Sequence, residues 1–357
     1  MASVSRTYPE PPSVISPEAR KELRQQLRDA GVFDRMPSRS WLKLFLLLTA
    51  TLVICLVALR SNLPFAWLLI PIAAIPLTSA AMLGHEGAHK SFAADGRNNA
   101  WMLHLTFPLM AGLGAHHWKW KHNLLHHEHP NVPGRDFDLQ MWPMACHAVE
   151  YRRAGPARKW FIRRAQWLVF WPISSLMPYA MRLNSIRILL RRLKDPGIDK
   201  AWLLDAGCLA IHYTCWLVIP SFFLPFGTVL LFYCVLWSLV GLYLAAIFAP
   251  AHMGMAIQNE HADDWLGQLQ TSRNLLMPRW MSWFFIGLDY QVEHHLFPGI
   301  PHQNFPKAAE ITKAWAERHG LPYHTIGYGA GLIDSTKFLA RAWSVEVVET
   351  VPATAAA

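Results

Sequence analysis

The sequence predicts an all-α integral membrane protein in which four transmembrane helices form two hairpins, together with interfacial helices and a histidine-rich cap. Composition points this way, because 53% of the 357 residues are hydrophobic, only 16% are charged and 17 are tryptophan. Four long apolar stretches stand out along the chain, and half of the 18 histidines fall within 45 residues. So apolar a composition excludes a disordered chain.

The first two predicted spans are residues 41–59 and 65–83. Each has about the 20 residues that a helix needs to cross a hydrocarbon core. Lys43 is the one charged residue of the first stretch, and the second stretch has none. Because the link at 60–64 is so short, the two helices are expected to form a hairpin.

A second hairpin is predicted from the stretches 202–224 and 226–249, where Pro225 and Gly227 supply the turn. Two further apolar stretches, 101–115 and 166–181, are shorter than a comfortable crossing. We expect these two to be interfacial or re-entrant segments rather than spans.

The orientation follows from the positions of the 33 Lys and Arg residues. Eight lie in 1–43, seventeen in 84–200 and seven in 250–357, which leaves only Arg60 on the side of the two tight turns. By the positive-inside rule, the N-terminus, the long middle segment and the C-terminus are all predicted to be cytoplasmic.

Three regions are predicted: a polar cytoplasmic N-terminal segment (1–40), a membrane domain (41–325) and a C-terminal tail (326–357). The first 40 residues are polar and rich in Pro and Arg, so no signal peptide is expected. The net charge of +9 is interpreted as attraction to an anionic membrane face rather than to nucleic acid.

Histidines recur in three short boxes with helical spacing. The first is His85-Glu-Gly-Ala-His89, directly after the second predicted span, and the second is His122-Asn-Leu-Leu-His126-His127. The third, Gln291-Val-Glu-His294-His295, begins with Gln. Residues four apart on a helix share a face and can bind one metal together. One such pair occurs often by chance, but three boxes on one side of a membrane predict a shared metal site.

Imidazoles in this number, without thiolates and with few carboxylates, suit iron, zinc or copper. An O2-reacting dinuclear iron centre needs about four ligands per metal, so the seven box histidines are one short. His252 is the best candidate for the eighth ligand, because it follows the fourth predicted span at the same membrane depth.

These boxes, their order, the hairpins between them and the flanking motifs DFD, TSRN and HLFPGIP resemble the membrane fatty acid desaturases. The likeness covers roughly residues 40–325 and is closest to the acyl-lipid and front-end type, whose third box begins with Gln. It implies two irons, cycling between Fe2+ and Fe3+, and O2 as co-substrate for removing two hydrogens from an acyl chain. The implied iron ligands are His85, His89, His122, His126, His127, His294 and His295.

Around these ligands the resemblance implies a di-metal cap on the cytoplasmic side and no catalytic residue beyond the metal centre. Gln291 is expected to be a weak ligand or to contact one. Glu86 stands where the first box often has Asp, and is expected to orient a ligand imidazole. Asp136 and Asp138 are candidates to hydrogen-bond ligand imidazoles, with a turn cap as the alternative.

The predicted partners are an acyl-chain substrate, membrane lipid and a separate electron donor. The first 40 residues contain no His, so the cytochrome b5 domain fused to many front-end members is not expected there. The donor is therefore predicted to be a ferredoxin, or a free cytochrome b5 with its reductase. The acyl chain is expected on a lipid, on coenzyme A or on a carrier protein.

Several other polar residues have a plain alternative role. His116, His117 and His129 flank the second box and are expected to support it or to lie at the surface. Asp205 and His212 fall inside the third span, where an ionisable group predicts function by default. For His212 a satisfied contact between spans is the preferred interpretation, and for Asp205 a position near the interface is the alternative.

Two rival functions remain open at this stage. The same iron ligands would serve an acyl hydroxylase, an acetylenase or a carotenoid-type oxygenase, which only product analysis separates. A membrane metal-binding or transport protein is a remote alternative, because transport needs ligands at mid-membrane and only His212 lies deep.

Overall fold

The computed structural model describes residues 14–61, 65–193 and 200–350. Parts of the predicted N-terminal segment (1–13), first hairpin turn (62–64) and tail (351–357) lie outside these ranges. The described residues are mostly helical. The helices are α1 (Pro17–Asp29), α2 (Pro37–Arg60), α3 (Ile70–Ala88), α4 (Gly96–His104), α5 (Ala115–Trp118), α6 (Ala148–Arg153), α7 (Pro156–Arg164), α8 (Gln166–Ser174), α9 (Met177–Arg192), α10 (Lys200–Tyr213), α11 (Phe226–His252), α12 (Asp264–Thr271), α13 (Arg279–Phe285), α14 (Gln291–Leu296), α15 (Phe305–Arg318) and α16 (Tyr328–Arg341).

Shorter elements connect these helices. Two strands, β1 (Asn274–Leu276) and β2 (Thr325–Gly327), pair in parallel, with Leu275 opposite Ile326. Three segments have π-helical hydrogen bonds: Leu105–Ala111, Lys119–His126 and Thr214–Val218. Single 3-10 turns lie at Ala66–Leu69, Phe137–Leu139, Pro220–Phe222, His302–Asn304 and Ala342–Ser344.

Four helical stretches of the described chain are long and apolar enough to cross a membrane, as predicted. They are the first span (Pro37–Arg60), the second span (Ala66–Ala88), the third span (Lys200–Phe222) and the fourth span (Phe226–His252). The helices extend the predicted stretches mainly at their polar ends, where hydropathy drops but helical hydrogen bonding continues. His85 and His252 therefore belong to the ends of the spans themselves. The stretches 101–115 and 166–181 form helices too short to be candidates.

The second span lies at the centre of the membrane part and is the most buried of the four. Its small residues allow helix α4 to approach closely. At Gly87 a Cβ would lie 2.6 Å from the Asn99 carbonyl oxygen and 2.8 Å from the Leu103 backbone nitrogen, so only glycine fits without moving α4. Gly84 is similarly close to Thr106 and Phe107. The first histidine box is thus held against α4 and the π-helical segment that follows it, on both sides of His85.

A second hydrophobic core lies outside the spans and joins α1, near the start of the described chain, to α15. Leu23 and Leu27 of α1 are fully buried against α15, whose Trp315 indole donates to the Ala19 carbonyl at 2.9 Å. Val292, in the helix of the third histidine box, belongs to the same core. This packing therefore supports the helix of the third box through Val292.

Candidate metal centre

The structure brings all eight predicted histidines together in two adjacent groups. Within each group the candidate ligand atoms all lie within 4.8 Å of one another. The five-histidine group comprises His85, His89, His122, His127 and His294, and the three-histidine group comprises His126, His252 and His295. The groups touch, because the rings of His127 and His295 stack with centroids 4.5 Å apart. Box spacing singled out seven of these histidines and membrane depth singled out His252, but neither predicted this division.

Distances between ring nitrogens fit shared metal ions. His122 Nε2 lies 2.9 Å from His85 Nε2 and 3.1 Å from His127 Nε2, and His252 Nε2 lies 3.2 Å from His295 Nε2. Two imidazoles bound to one ion at about 2.1 Å hold their nitrogens about 3 Å apart. The buried Nε2 atoms of His89 and His294 have no hydrogen-bond partner among the described residues. Such orphaned acceptors fit a metal ligand role.

The second box divides its imidazoles between the groups because its helix widens. The His127 N–H donates to the His122 carbonyl at 3.0 Å, five residues back, which is the π-helical pattern. A π-helix turns by roughly 80° per residue, whereas an α-helix turns by about 100°. His126 and His127 therefore flank the direction of His122 on opposite sides. As a result, His127 lies beside His122 in the five-histidine group, whereas His126 lies in the three-histidine group.

Each imidazole of the three-histidine group is oriented by a hydrogen bond at Nδ1. His252 Nδ1 donates to the Thr271 carbonyl at 3.0 Å, and His295 Nδ1 lies 2.8 Å from Gln268 Oε1. His126 Nδ1 lies 3.2 Å from Asp136 Oδ2. These contacts leave each Nε2 for a metal and fix the ring plane. Gln268 also donates to the His127 carbonyl at 2.8 Å, which ties the two groups together.

Asp136 fills both roles that the sequence left open. It contacts His126, and it also accepts the backbone N–H groups of Asn131 and Asp138 at 2.9 Å each. Asp138 lies at 3.5 Å from His126 Nδ1 and pairs with Lys121. The loop after the second box is thus folded around the Asp136 carboxylate, which in turn holds a candidate ligand.

Burial keeps most of these imidazoles neutral, the form that binds metals. Desolvation, with the charge of neighbouring histidines, holds the pKa values of His122, His127, His294 and His295 well below the usual range. The pKa of His89 is lowered to about 3 for the same reasons. His126 is the exception: burial lowers its pKa, but the Asp136 and Asp138 carboxylates together outweigh burial, so the pKa is raised.

Glu86 forms hydrogen bonds with residues that were not predicted from the sequence. The His302 N–H donates to Glu86 Oε1 at 2.7 Å, and His302 Nδ1 lies 2.9 Å from the same oxygen. Ser40 donates to Glu86 Oε2 at 3.3 Å, and Lys43 Nζ lies 3.2 Å from His302 Nε2. Glu86 thus joins the first box to the first span and to the loop after the third box, and the hydrogen bonds of its carboxylate with the described residues reach none of the eight imidazoles. No motif in the sequence marks His302, which lies 216 positions from Glu86.

The helix of the third box is fastened at its start by Asn274. Its Oδ1 accepts the Val292 N–H at 2.9 Å, while its Nδ2 donates to Glu293 Oε2 at 2.7 Å. The Tyr323 hydroxyl donates to Glu293 Oε1 at 2.7 Å. Gln291 is fully buried, and its amide donates to the Leu288 carbonyl at 3.0 Å. Its role as a weak ligand stays a prediction.

A pH effect on stability is expected from Asp289, just before this box. Burial raises the pKa of its carboxyl to about 6, and the Ser282 hydroxyl at 2.6 Å opposes that only in part. Below pH 4 the folded and unfolded chains both hold the proton. As pH rises from 4 to 6, the unfolded chain loses the Asp289 proton while the native state keeps it. The free energy of unfolding therefore falls by about 3 kcal/mol and stays lower at higher pH. Melting temperatures in detergent from pH 4 to 8 should show this fall.

The neutral variant Asp289→Asn is the control for this effect. It should melt at a higher temperature than the wild type at pH 7.5 and gain nothing at pH 4. A parallel fall in both proteins would contradict the assignment to Asp289.

The other flanking polar residues lie outside both groups. His116 Nδ1 lies 3.0 Å from Asp205, and His117 Nδ1 lies 3.3 Å from the Ser185 hydroxyl. His129 lies near Arg135 in an exposed contact. His212 is a satisfied contact between elements, as predicted, with Nδ1 3.0 Å from the Met110 carbonyl and Nε2 2.9 Å from the Tyr233 hydroxyl.

Comparison with known proteins gives one family match and many relatives. The sequence model of the family "Fatty acid desaturase" matches residues 61–327. The Fatty acid desaturase 2-like protein FADS2B of Mus musculus is 28% identical over 68% of this chain, a match that spans 49% of the mouse protein. The Delta(5) fatty acid desaturase fat-4 of Caenorhabditis elegans is 26% identical, with 87% of this chain and 70% of that protein covered. The Delta(8)-fatty-acid desaturase of Euglena gracilis is also 26% identical, with 95% and 83% covered.

Proposed function

This chain belongs to the fatty acid desaturase family, a family of oxidoreductases, and from that membership we propose that it is an O2-dependent di-iron acyl desaturase. The reaction is the introduction of a cis double bond into an acyl chain carried by lipid, coenzyme A or a carrier protein. The electrons come from a separate redox protein, a ferredoxin or a free cytochrome b5 with its reductase. The observation that carries the proposal is the pair of touching groups of imidazoles, in which His85 and His252 lie at the ends of the second and fourth spans.

The eight imidazoles are the residues that would hold two irons. Neutral nitrogen donors suit iron, and the orphaned Nε2 atoms of His89 and His294 fit a ligand. Bound iron supplies the activation of O2 that an unactivated C–H bond requires. Asp136, Gln268 and the Thr271 carbonyl orient three of the rings, so the donors are in place before a metal arrives.

Aromatic residues lie against one side of the five-histidine group. The Trp118 ring lies with its centroid 4.6 Å from that of His122 and 4.7 Å from that of Phe107. Phe248 of the fourth span lies 6.3 Å from His122. The imidazole contacts of Asp136 and Gln268 belong to the other group. The aromatic side therefore suits the approach of an apolar chain and keeps water from the imidazoles.

We place the N-terminus, the C-terminus and the metal centre on the cytoplasmic side. Support comes from the Lys and Arg distribution, which leaves Arg60 as the one such residue at the two tight turns. The basic face would also suit an acidic electron donor.

The test combines metal analysis with product analysis. Protein purified in detergent after growth with ample iron should contain about two irons per chain. In a system with membrane lipid, a reductase and either donor, it should yield a new cis double bond, located by mass spectrometry of the acyl chains. His126→Ala should give no product.

Other results of this test would either change the proposed reaction or reject the desaturase assignment. A hydroxylated or acetylenic acyl product, or an oxidised carotenoid, would keep the di-iron centre but replace the proposed reaction. Stoichiometric zinc despite ample iron, or equal activity of wild type and His126→Ala, would reject the desaturase assignment and reopen metal binding or transport.

A further inference from the structure

The helix that carries the second histidine box begins at a carboxylate from a different element. Helix α5 and the π-helical segment that follows run without a break from Ala115 to His126. Asp205, in the third span, accepts the Ala115 N–H at 2.9 Å through Oδ1 and the His116 N–H at 3.1 Å through Oδ2. The residue that precedes the helix, Gly114, has no side chain to cap it. Asp205 thus caps this helix from outside.

The location of this carboxylate makes the contact informative. Asp205 is 1% exposed and lies within the largely apolar third span, where an ionisable side chain is costly. Two backbone N–H donors and His116 Nδ1, at 3.0 Å, surround it. The positive end of the helix dipole also favours a carboxylate at this position. The hydrogen bonds that the Asp205 carboxylate makes with the described residues all lie at one helix end, so its position is explained by that helix.

Neighbouring side chains hold the same turn. The Ser185 hydroxyl accepts the Gly114 N–H at 3.0 Å, and Arg182 donates to the Ala111 carbonyl from Nε and Nη2 at 3.0 and 2.8 Å. Gly112 has a φ of 66°, and a Cβ there would lie 2.6 Å from His212 Nε2. The turn that starts the helix is therefore fastened to helix α9 and to the third span at successive residues.

The position of this helix matters for both groups of imidazoles. His122 and His127 belong to the five-histidine group, and His126 belongs to the three-histidine group. A shift of the helix along or around its axis would move donors of both groups at once. Ligands that are 1 Å out of place lose much of their affinity for a metal.

We propose that Asp205 is a positioning residue for the di-metal centre, which it serves by capping the helix of the second box from the third membrane span. The inference rests on the proposed function, because it assigns Asp205 to the same two irons. Asp205 touches neither a metal nor a substrate, and acts through the helix that it caps.

The test compares three variants with the wild type. Asp205→Ala removes all three contacts, whereas Asp205→Asn keeps one oxygen that accepts the Ala115 N–H. Thr214→Ala is the matched control in the same span, since the Thr214 hydroxyl is exposed and bonds only to Ala210 of its own helix, at 2.9 Å. For each purified protein we would measure the melting temperature without iron, the iron bound per chain and the rate of iron loss to a chelator.

The expected result is iron loss about ten-fold faster in Asp205→Ala, which is the effect that removal of a ligand-orienting contact typically has. Asp205→Asn should lose iron at a rate between those of the wild type and Asp205→Ala, and Thr214→Ala should lose it at the wild-type rate. The melting temperatures of all these proteins should be similar. Iron loss within two-fold of wild type in Asp205→Ala would overturn the inference, as would a lower melting temperature with unchanged iron retention.

If Asp205→Ala does not fold, Asp205→Asn and Ser185→Ala decide the question. Faster iron loss in both supports the inference, and wild-type retention in both overturns it. A wild-type protein that binds no iron would instead reject the proposed function, so the two failures are distinguishable.

Discussion

Replacing His252 by alanine is expected to leave about one iron per chain and to abolish desaturation. His252 supplies one of only three imidazoles in its group, with Nε2 3.2 Å from His295 Nε2. Without it, two imidazoles remain in that group, whereas the five-histidine group keeps all of its donors. Activity should fall by more than about 100-fold, since even a residue that only orients a ligand costs 10–100-fold when lost.

The measurement is elemental analysis of iron in the detergent-purified variant, followed by product analysis at equal protein concentration. His129→Ala is the matched control, because His129 lies close to the second box but contacts Arg135 instead of the groups. It should keep both irons and most of the activity. Two irons and normal product in His252→Ala would remove His252 from the proposed ligand set.

Asn274→Ala is expected to destabilise the protein more than other substitutions of buried polar residues around the site. Alanine removes the oxygen that accepts the Val292 N–H. It also removes two hydrogen bonds that the Asn274 amide donates, to Glu293 at 2.7 Å and to the Tyr323 hydroxyl at 2.8 Å. Each buried polar group left without a partner costs about 1–3 kcal/mol, so a total loss of about 3 kcal/mol is expected. The same burial already raises the pKa of Glu293 to about 7.

Thermal melting of the purified variant would show this loss, and iron content would show whether the third box moves with it. Asn184→Ala, at an exposed position where the amide oxygen only accepts from Arg187, should melt like the wild type. If Asn274→Ala melts within a degree of the wild type, the network of Asn274, Glu293 and Tyr323 does not hold the third box.

Local properties of the sequence were enough to predict the spans and to single out the eight histidines that the structure brings together. Hydropathy over about 20 residues locates a span, and the displacement of the ends by a few residues reflects helical bonding beyond the apolar stretch. His252 was predicted from its depth at the end of a span, and the structure places it beside His295.

Contacts between distant positions were not predictable in the same way. Glu86 meets His302 across 216 positions, and Asp205 meets Ala115 across 90. Such pairs depend on how the elements pack, which no residue pattern within either segment records. The division into five and three histidines was missed for another reason. An α-helical interpretation of the second box pairs His122 with His126, whereas the helix there is of the π type.

The π-helical segment from Lys119 to His126 also changes how differences in chain length should be interpreted. A π turn has the hydrogen bonding of an α-helix with one extra residue inserted. Deleting a residue here would therefore restore regular helix instead of shortening a loop, and would exchange which imidazoles face each group. In an alignment of homologues, a one-residue gap within this box marks a change in the distribution of donors. The position of a gap in this stretch therefore decides which histidines are aligned with each other as candidate metal ligands. The helix type should be used to choose that position.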